Sequence, residues 1–130
     1  VLPTKTFLEK IMLLHEEFLK PIENIRHYRM SRHLYDIEKL MDHDYGKEAI
    51  KNKELFETLV QHRSKYTPIR GISYELHTPQ TINFIPPAEV TELWKKDYQA
   101  MQEFMIYGET LEFDNLIERL IDLKKRLKNL

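Results

Sequence analysis

Apolar residues recur along this chain at intervals of three and four, the spacing that gathers them on one face of an α-helix. Phe7, Ile11, Leu14 and Phe18 form the first series. Ile22, Ile25, Met30, Leu34, Ile37 and Met41 form a second, which runs to about Asp42. Thr6 and Glu9 stand three apart ahead of the first series, the spacing of a capping box in which a hydroxyl and a carboxylate satisfy free backbone donors. Pro21 ends the first helix or opens the next, and Asp44-Tyr45-Gly46 reads as the following break. A third helix is predicted from about Lys47 to Tyr66, with Ile50, Leu55, Phe56, Leu59 and Val60 inside.

The character changes from Thr67 to Pro86, where Pro68, Gly71, Pro79 and Pro86 punctuate partly alternating stretches. An extended segment or short hairpin near residues 70–86 is expected there, packed down on the rest. Pro87 suits the first turn of a fourth helix with the stripe Val90, Trp94, Tyr98, Met101 and Met105, ending at Gly108. Phe113, Leu116, Ile117, Leu120, Ile121 and Leu127 mark a last helix, and cations at its end suit the negative pole of the helix dipole. The pattern predicts an all-α fold: a helical bundle of about five helices over residues 1–130, one domain. Trp94, Leu14, Leu34 and Leu120 are expected in its core.

Composition removes several classes of function. The chain has no cysteine, which excludes disulfides and thiolate metal sites and fits a cytoplasmic protein. Its longest aliphatic run, Ile11-Met12-Leu13-Leu14, is far short of the roughly 20 residues of a membrane span. The net charge of −1 supplies no global field for nucleic acid. Locally the balance differs: residues 1–70 carry 13 Lys and Arg against 11 Asp and Glu, and residues 71–130 carry 7 against 10. Arg26, Arg29 and Arg32 are the candidates for a basic strip in the first half.

Three glycines, at 46, 71 and 108, leave no GxGxxG turn and no P-loop. His15-Glu16 begins like a zincin motif, but Leu19 stands where the second ligand belongs. His43-Asp44 resembles the doublet of helical metal-dependent phosphohydrolases, with His15 or His27 upstream, yet it falls at a helix end. The residues that stand out are Lys10 in the first helix and Arg29, Arg32 and Asp36 in the second, at i, i+3 and i+7, with His33 beside them. The plain structural reading pairs Arg32 with Asp36 at i, i+4, worth a few tenths of a kcal/mol on an exposed helix.

As a whole the pattern resembles the C-terminal helical part of the AbiEii/AbiGii-type nucleotidyltransferase toxins. The resemblance rests on Thr6-Phe7-Leu8-Glu9-Lys10 with Leu14-His15, then Ser31-Arg32-His33-Leu34-Tyr35-Asp36, then His62-Arg63-Ser64-Lys65. Ile85-Pro86-Pro87, Asp97-Tyr98-x-x-Met101 and the closing leucine-rich helix ending in Asn129 continue it. It implies a polymerase-β-like N-terminal domain whose Gly-Ser turn and paired aspartates hold magnesium, completed by a lysine and an aspartate from the helical part. By resemblance the catalytic residues here are Lys10 and Asp36. Arg32, Arg29 and His33 take the substrate or phosphate side, and no metal ligand lies within the segment.

No Gly-Ser pair occurs, and the chain opens on Val1, so it reads as a piece cut from a longer enzyme and inactive alone. The resemblance implies a nucleoside triphosphate substrate, an RNA acceptor, magnesium held by the other domain and an antitoxin partner. If the first two helices pair around Pro21, Lys10 and Asp36 fall within about one helical turn of each other, within reach of a lysine. The rival reading is a non-catalytic helical module that docks an antitoxin or RNA through the arginine strip and the tail from Lys124 to Lys128.

Overall fold

The computed structural model describes residues 3–66, 78, 80–104 and 111–129. Among these it holds six α-helices: α1 (Pro3–Phe18), α2 (Ser31–Met41), α3 (Asp44–Lys51), α4 (Lys53–Tyr66), α5 (Thr91–Phe104) and α6 (Phe113–Lys128). No strand occurs among the described residues, and the fold is all-α. Most of the stretch expected to be extended, residues 67–77 and 79, lies outside them, as do Met105 and Gly108.

The first two helices form the centre. α1 packs against α2, α3 and α4, while α2 also meets α3, α5 and α6. Phe7, Leu8, Ile11, Met12 and Leu14 are fully enclosed, and so are Leu34, Ile37 and Met41 of α2. Trp94, Leu14, Leu34 and Leu120 are all buried, as the pattern predicts. The Trp94 ring meets the Phe18 ring edge-on at 4.9 Å, a favoured aromatic geometry that ties α5 to the end of α1. The Tyr98 hydroxyl donates to the Leu111 carbonyl at 2.8 Å, and burial, aided by Glu38 nearby, pushes its phenol up to about 12.

Several helix boundaries differ from the sequence reading: the helix expected to open at Pro87 begins at Thr91, after a 3₁₀ turn at Ala88–Val90, and the others differ for local reasons. α1 starts at Pro3, since proline is tolerated in a first helical turn. Thr6 therefore lies inside the helix, and Glu9 faces Lys5 at 3.8 Å rather than closing a capping box. α2 begins only at Ser31. Residues 22–24 form a single 3₁₀ turn, and Arg29 has φ 61, a left-handed conformation that a right-handed helix cannot contain. Ile25 and Met30 still reach the core, so the spacing there marks burial without marking a helix.

Gly46 is no break. It sits in α3, where a Cβ would lie 2.0 Å from the Leu40 carbonyl oxygen, so glycine is what lets α3 close against the end of α2. The predicted third helix is instead divided at Asn52, whose side chain accepts the Leu55 N–H at 3.0 Å and caps α4. This division accounts for six helices in place of five. In α6 the buried positions are 113, 116, 120, 123 and 127, alternating steps of three and four. Leu123 belongs to that stripe and Ile121 does not; Ile121 is exposed.

Candidate functional site

Lys10 sits at the edge of the buried face of α1, between enclosed Ile11 and the exposed side of the helix. Its ammonium lies 2.9 Å from Asp36 Oδ2, on the second turn of α2. The same ammonium is 3.5 Å from His33 Nδ1. The Lys10 and Asp36 side chains are about a quarter exposed, at 24% and 28%, so the pair is shielded by the bundle and still open to solution. A pair this accessible adds at most about 1 kcal/mol to stability. Its consequence is geometric: a long flexible lysine is held in one place.

Burial lowers the pKa of His33, and the Lys10 ammonium lowers it further, while Asp36 works the other way. The net direction is down, which favours the neutral imidazole, and with its proton on Nε2 this ring can accept from Lys10 at Nδ1. Lys10, His33 and Asp36 thus converge, as the sequence reading expects for Lys10 and Asp36. The structure does not pair Arg32 with Asp36; Arg32 is exposed and makes no ion pair among the described residues. Arg29 lies off the helix altogether, with its guanidinium 5.3 Å from the Tyr28 ring centre. The single basic face formed by Arg26, Arg29 and Arg32 on one helix therefore does not exist. Arg26 binds Glu17 from the loop before α2.

Several side chains that brace the helices around this centre have roles that the sequence reading does not assign. Asp97, on α5, accepts the backbone N–H of Arg29 at 2.7 Å and of Ser31 at 3.1 Å, and it also binds the Ser31 hydroxyl. It thereby satisfies free donors at the start of α2 from another helix. Glu16 and Glu17 are 1% and 2% exposed. Arg63 Nε meets Glu16 Oε2 at 2.7 Å, locking α1 to α4. Glu17 takes Lys20, Arg26 Nε at 2.8 Å and the Arg26 backbone N–H. Burial raises the Glu17 carboxyl, but these hydrogen bonds together outweigh it and hold the group below its ordinary value. The available signal was two carboxylates between Leu14 and Phe18, on a helix whose core face leaves them nowhere to go without cations.

The metal motifs resolve into structural roles. His15 Nδ1 accepts the Asn83 N–H at 2.8 Å, and Asn83 in turn accepts Lys124 Nζ at 3.0 Å. His43 caps α3, accepting the Tyr45 N–H at 3.3 Å, and stacks on the Tyr45 ring. Asp42-His43-Asp44 does have an Asp-x-Asp spacing, but Asp42 is taken by Arg119 and Arg126, and no Gly-Ser pair precedes it. Among the described residues no group of three or more His, Cys, Asp or Glu could hold a metal ion, and Asp36 is engaged by Lys10. No described helix is long and apolar enough to cross a membrane.

Comparison with known proteins returns no match among curated proteins and none among solved structures. A family model does match, over residues 1–119, and its description is "Nucleotidyl transferase AbiEii toxin, Type IV TA system". With nearly the whole chain covered, the protein belongs to the AbiEii nucleotidyl transferase toxin family.

Proposed function

We propose that residues 1–130 form the helical part of a nucleotidyl transfer site that moves a nucleotide from a triphosphate onto RNA, in the cytoplasm, with Lys10 and Asp36 as its working pair. The observation that carries this reading is the 2.9 Å contact between them across α1 and α2. In such a reaction an acceptor hydroxyl attacks the α-phosphorus and pyrophosphate leaves, so negative charge builds on the departing oxygens. A fixed ammonium stabilises that charge, and its effect is large where water is partly excluded. Asp36 keeps Lys10 in position before substrate arrives, and neutral His33 beside it adds no competing positive charge. Arg32 and Arg29 serve the phosphates of the substrates.

Magnesium supplies further charge balance for the triphosphate when bound; in this reading its carboxylate ligands lie outside these residues, and the segment alone is inactive. The family description names a toxin–antitoxin system, and an antitoxin is the proposed protein partner.

The test is incorporation of labelled nucleotide into RNA by the full-length protein. Lys10→Ala and Asp36→Asn should each lower transfer by roughly 100-fold or more, with melting temperatures near the parent's. Near-normal transfer by Asp36→Asn together with earlier melting would make the pair a structural tie only. Robust incorporation by residues 1–130 alone would contradict the division of the site.

A further inference from the structure

We propose that residues 26–32, the loop running into α2 and the start of that helix, are a docking ledge for single-stranded RNA, with Tyr28 as the surface on which a base stacks and Arg29 and Arg32 as phosphate contacts. This rests on the reading that the segment serves transfer onto RNA.

Tyr28 is 73% exposed, the most exposed of the large hydrophobic side chains described. A lone exposed apolar residue is ordinary. This one differs in how it is held. Glu17 grips the loop at Arg26, through backbone and side chain. Asp97 grips it at Arg29 and Ser31. Between these clamps Arg29 keeps φ 61, a conformation that non-glycine residues seldom adopt and that persists only when its surroundings impose it. The Tyr28 ring and the Arg29 guanidinium over it are therefore presented on a fixed loop, and a ligand would lose little conformational freedom in binding there.

The charge around the ring is positive. Lys20, Arg26, Arg29 and Arg32 stand against Glu17 and Glu23 in this stretch, and buried Glu17 is already engaged by Lys20 and Arg26. Asp97 is spent on backbone N–H groups and the Ser31 hydroxyl. Arg29 and Arg32 make no ion pair among the described residues. An open aromatic face flanked by available cations is the combination that holds single-stranded nucleic acid, whose bases stack while the backbone tracks the charge. A duplex keeps its base faces inside the stack, and the carboxylates of an acidic peptide offer no flat ring to lay on Tyr28. His33, which lies 3.5 Å from Lys10 Nζ, follows Tyr28 by five residues in sequence.

The experiment measures fluorescence anisotropy of a labelled single-stranded oligoribonucleotide of about 12 nucleotides with the full-length protein, beside calorimetry with a nucleoside triphosphate. Tyr28→Ala should weaken oligonucleotide binding by about 5- to 150-fold, the range for one base–aromatic stack, and Tyr28→Phe should retain it. Arg32→Ala should flatten the slope of log affinity against log salt by about 0.7, one phosphate contact on a single strand. Triphosphate affinity should be the same in Tyr28→Ala as in the parent. Undiminished oligonucleotide binding by folded Tyr28→Ala, no binding by the parent, or equal competition by poly-glutamate of matched charge would each overturn the ledge. Loss of transfer in Lys10→Ala with oligonucleotide binding intact in Tyr28→Ala would sink the ledge alone. Normal transfer in Lys10→Ala with binding lost in Tyr28→Ala would sink the proposed role of Lys10 alone.

Discussion

Asp97 Oδ2 accepts the backbone N–H of Ser31 at 3.1 Å, so the helix that carries His33 and Asp36 is capped by a carboxylate 66 residues away in sequence. The residue at the N-cap position, Met30, offers no side-chain acceptor. Asp97→Ala leaves the Arg29 and Ser31 donors without their partner and should cost about 1–3 kcal/mol in urea unfolding. A loss under about 0.5 kcal/mol would mean water replaces the carboxylate without penalty.

Glu16 and Arg63 form a pair whose acid is almost fully enclosed. Breaking the pair deprives a nearly enclosed carboxylate of its contact with Arg63, so Glu16→Gln or Arg63→Ala should each destabilise by about 3–5 kcal/mol. The double variant Glu16→Met with Arg63→Leu should recover most of that loss, because it removes both desolvation costs. A double variant as unstable as the sum of the singles would show two independent roles.

Stability should fall in acid partly through Glu17. Its carboxyl has a lower pKa folded than unfolded, so the unfolded chain binds protons first as pH drops. The contribution is complete above the unfolded value, about 4.3, and disappears as pH falls through the lower folded one. Urea unfolding of the parent and Glu17→Gln at pH 7 and near pH 3 should show a gap that narrows in acid. An equal gap at both pH values would mean that Glu17 contributes by shape and not by charge.

Trp94 is fully enclosed, and its indole N–H finds no hydrogen-bond acceptor among the described residues. Trp94→Ala should cost about 3–5 kcal/mol by leaving a cavity beside Phe18. Trp94→Phe should cost distinctly less, since it keeps the edge-on ring contact and deletes an unpaired polar group. Equal losses in thermal melts would indicate that the indole nitrogen has a partner outside the described residues.

The apolar spacing by itself determined that this chain is helical and marked many of the side chains that fill its core, because a helix buries a face of fixed period whatever it packs against. Trp94, Leu14, Leu34 and Leu120 were legible for that reason, and the closeness of Lys10 to Asp36 was expected from pairing the first two helices. Partnerships were decided by the tertiary structure. Asp36 has Arg32 one turn before it on its own helix, yet it meets Lys10, in a partly dry seam where a charge pair is screened less than on the open surface. Arg29 and Met30 fit the helical spacing, but Asp97 holds the backbone there in a loop, and no local pattern announces a cap delivered from α5. Gly46 signals a turn in sequence and sits inside a helix, because the missing Cβ makes room for the Leu40 carbonyl. Periodicity is a property of one segment, whereas capping, charge pairing and close approach belong to two, and they are settled only when the segments pack.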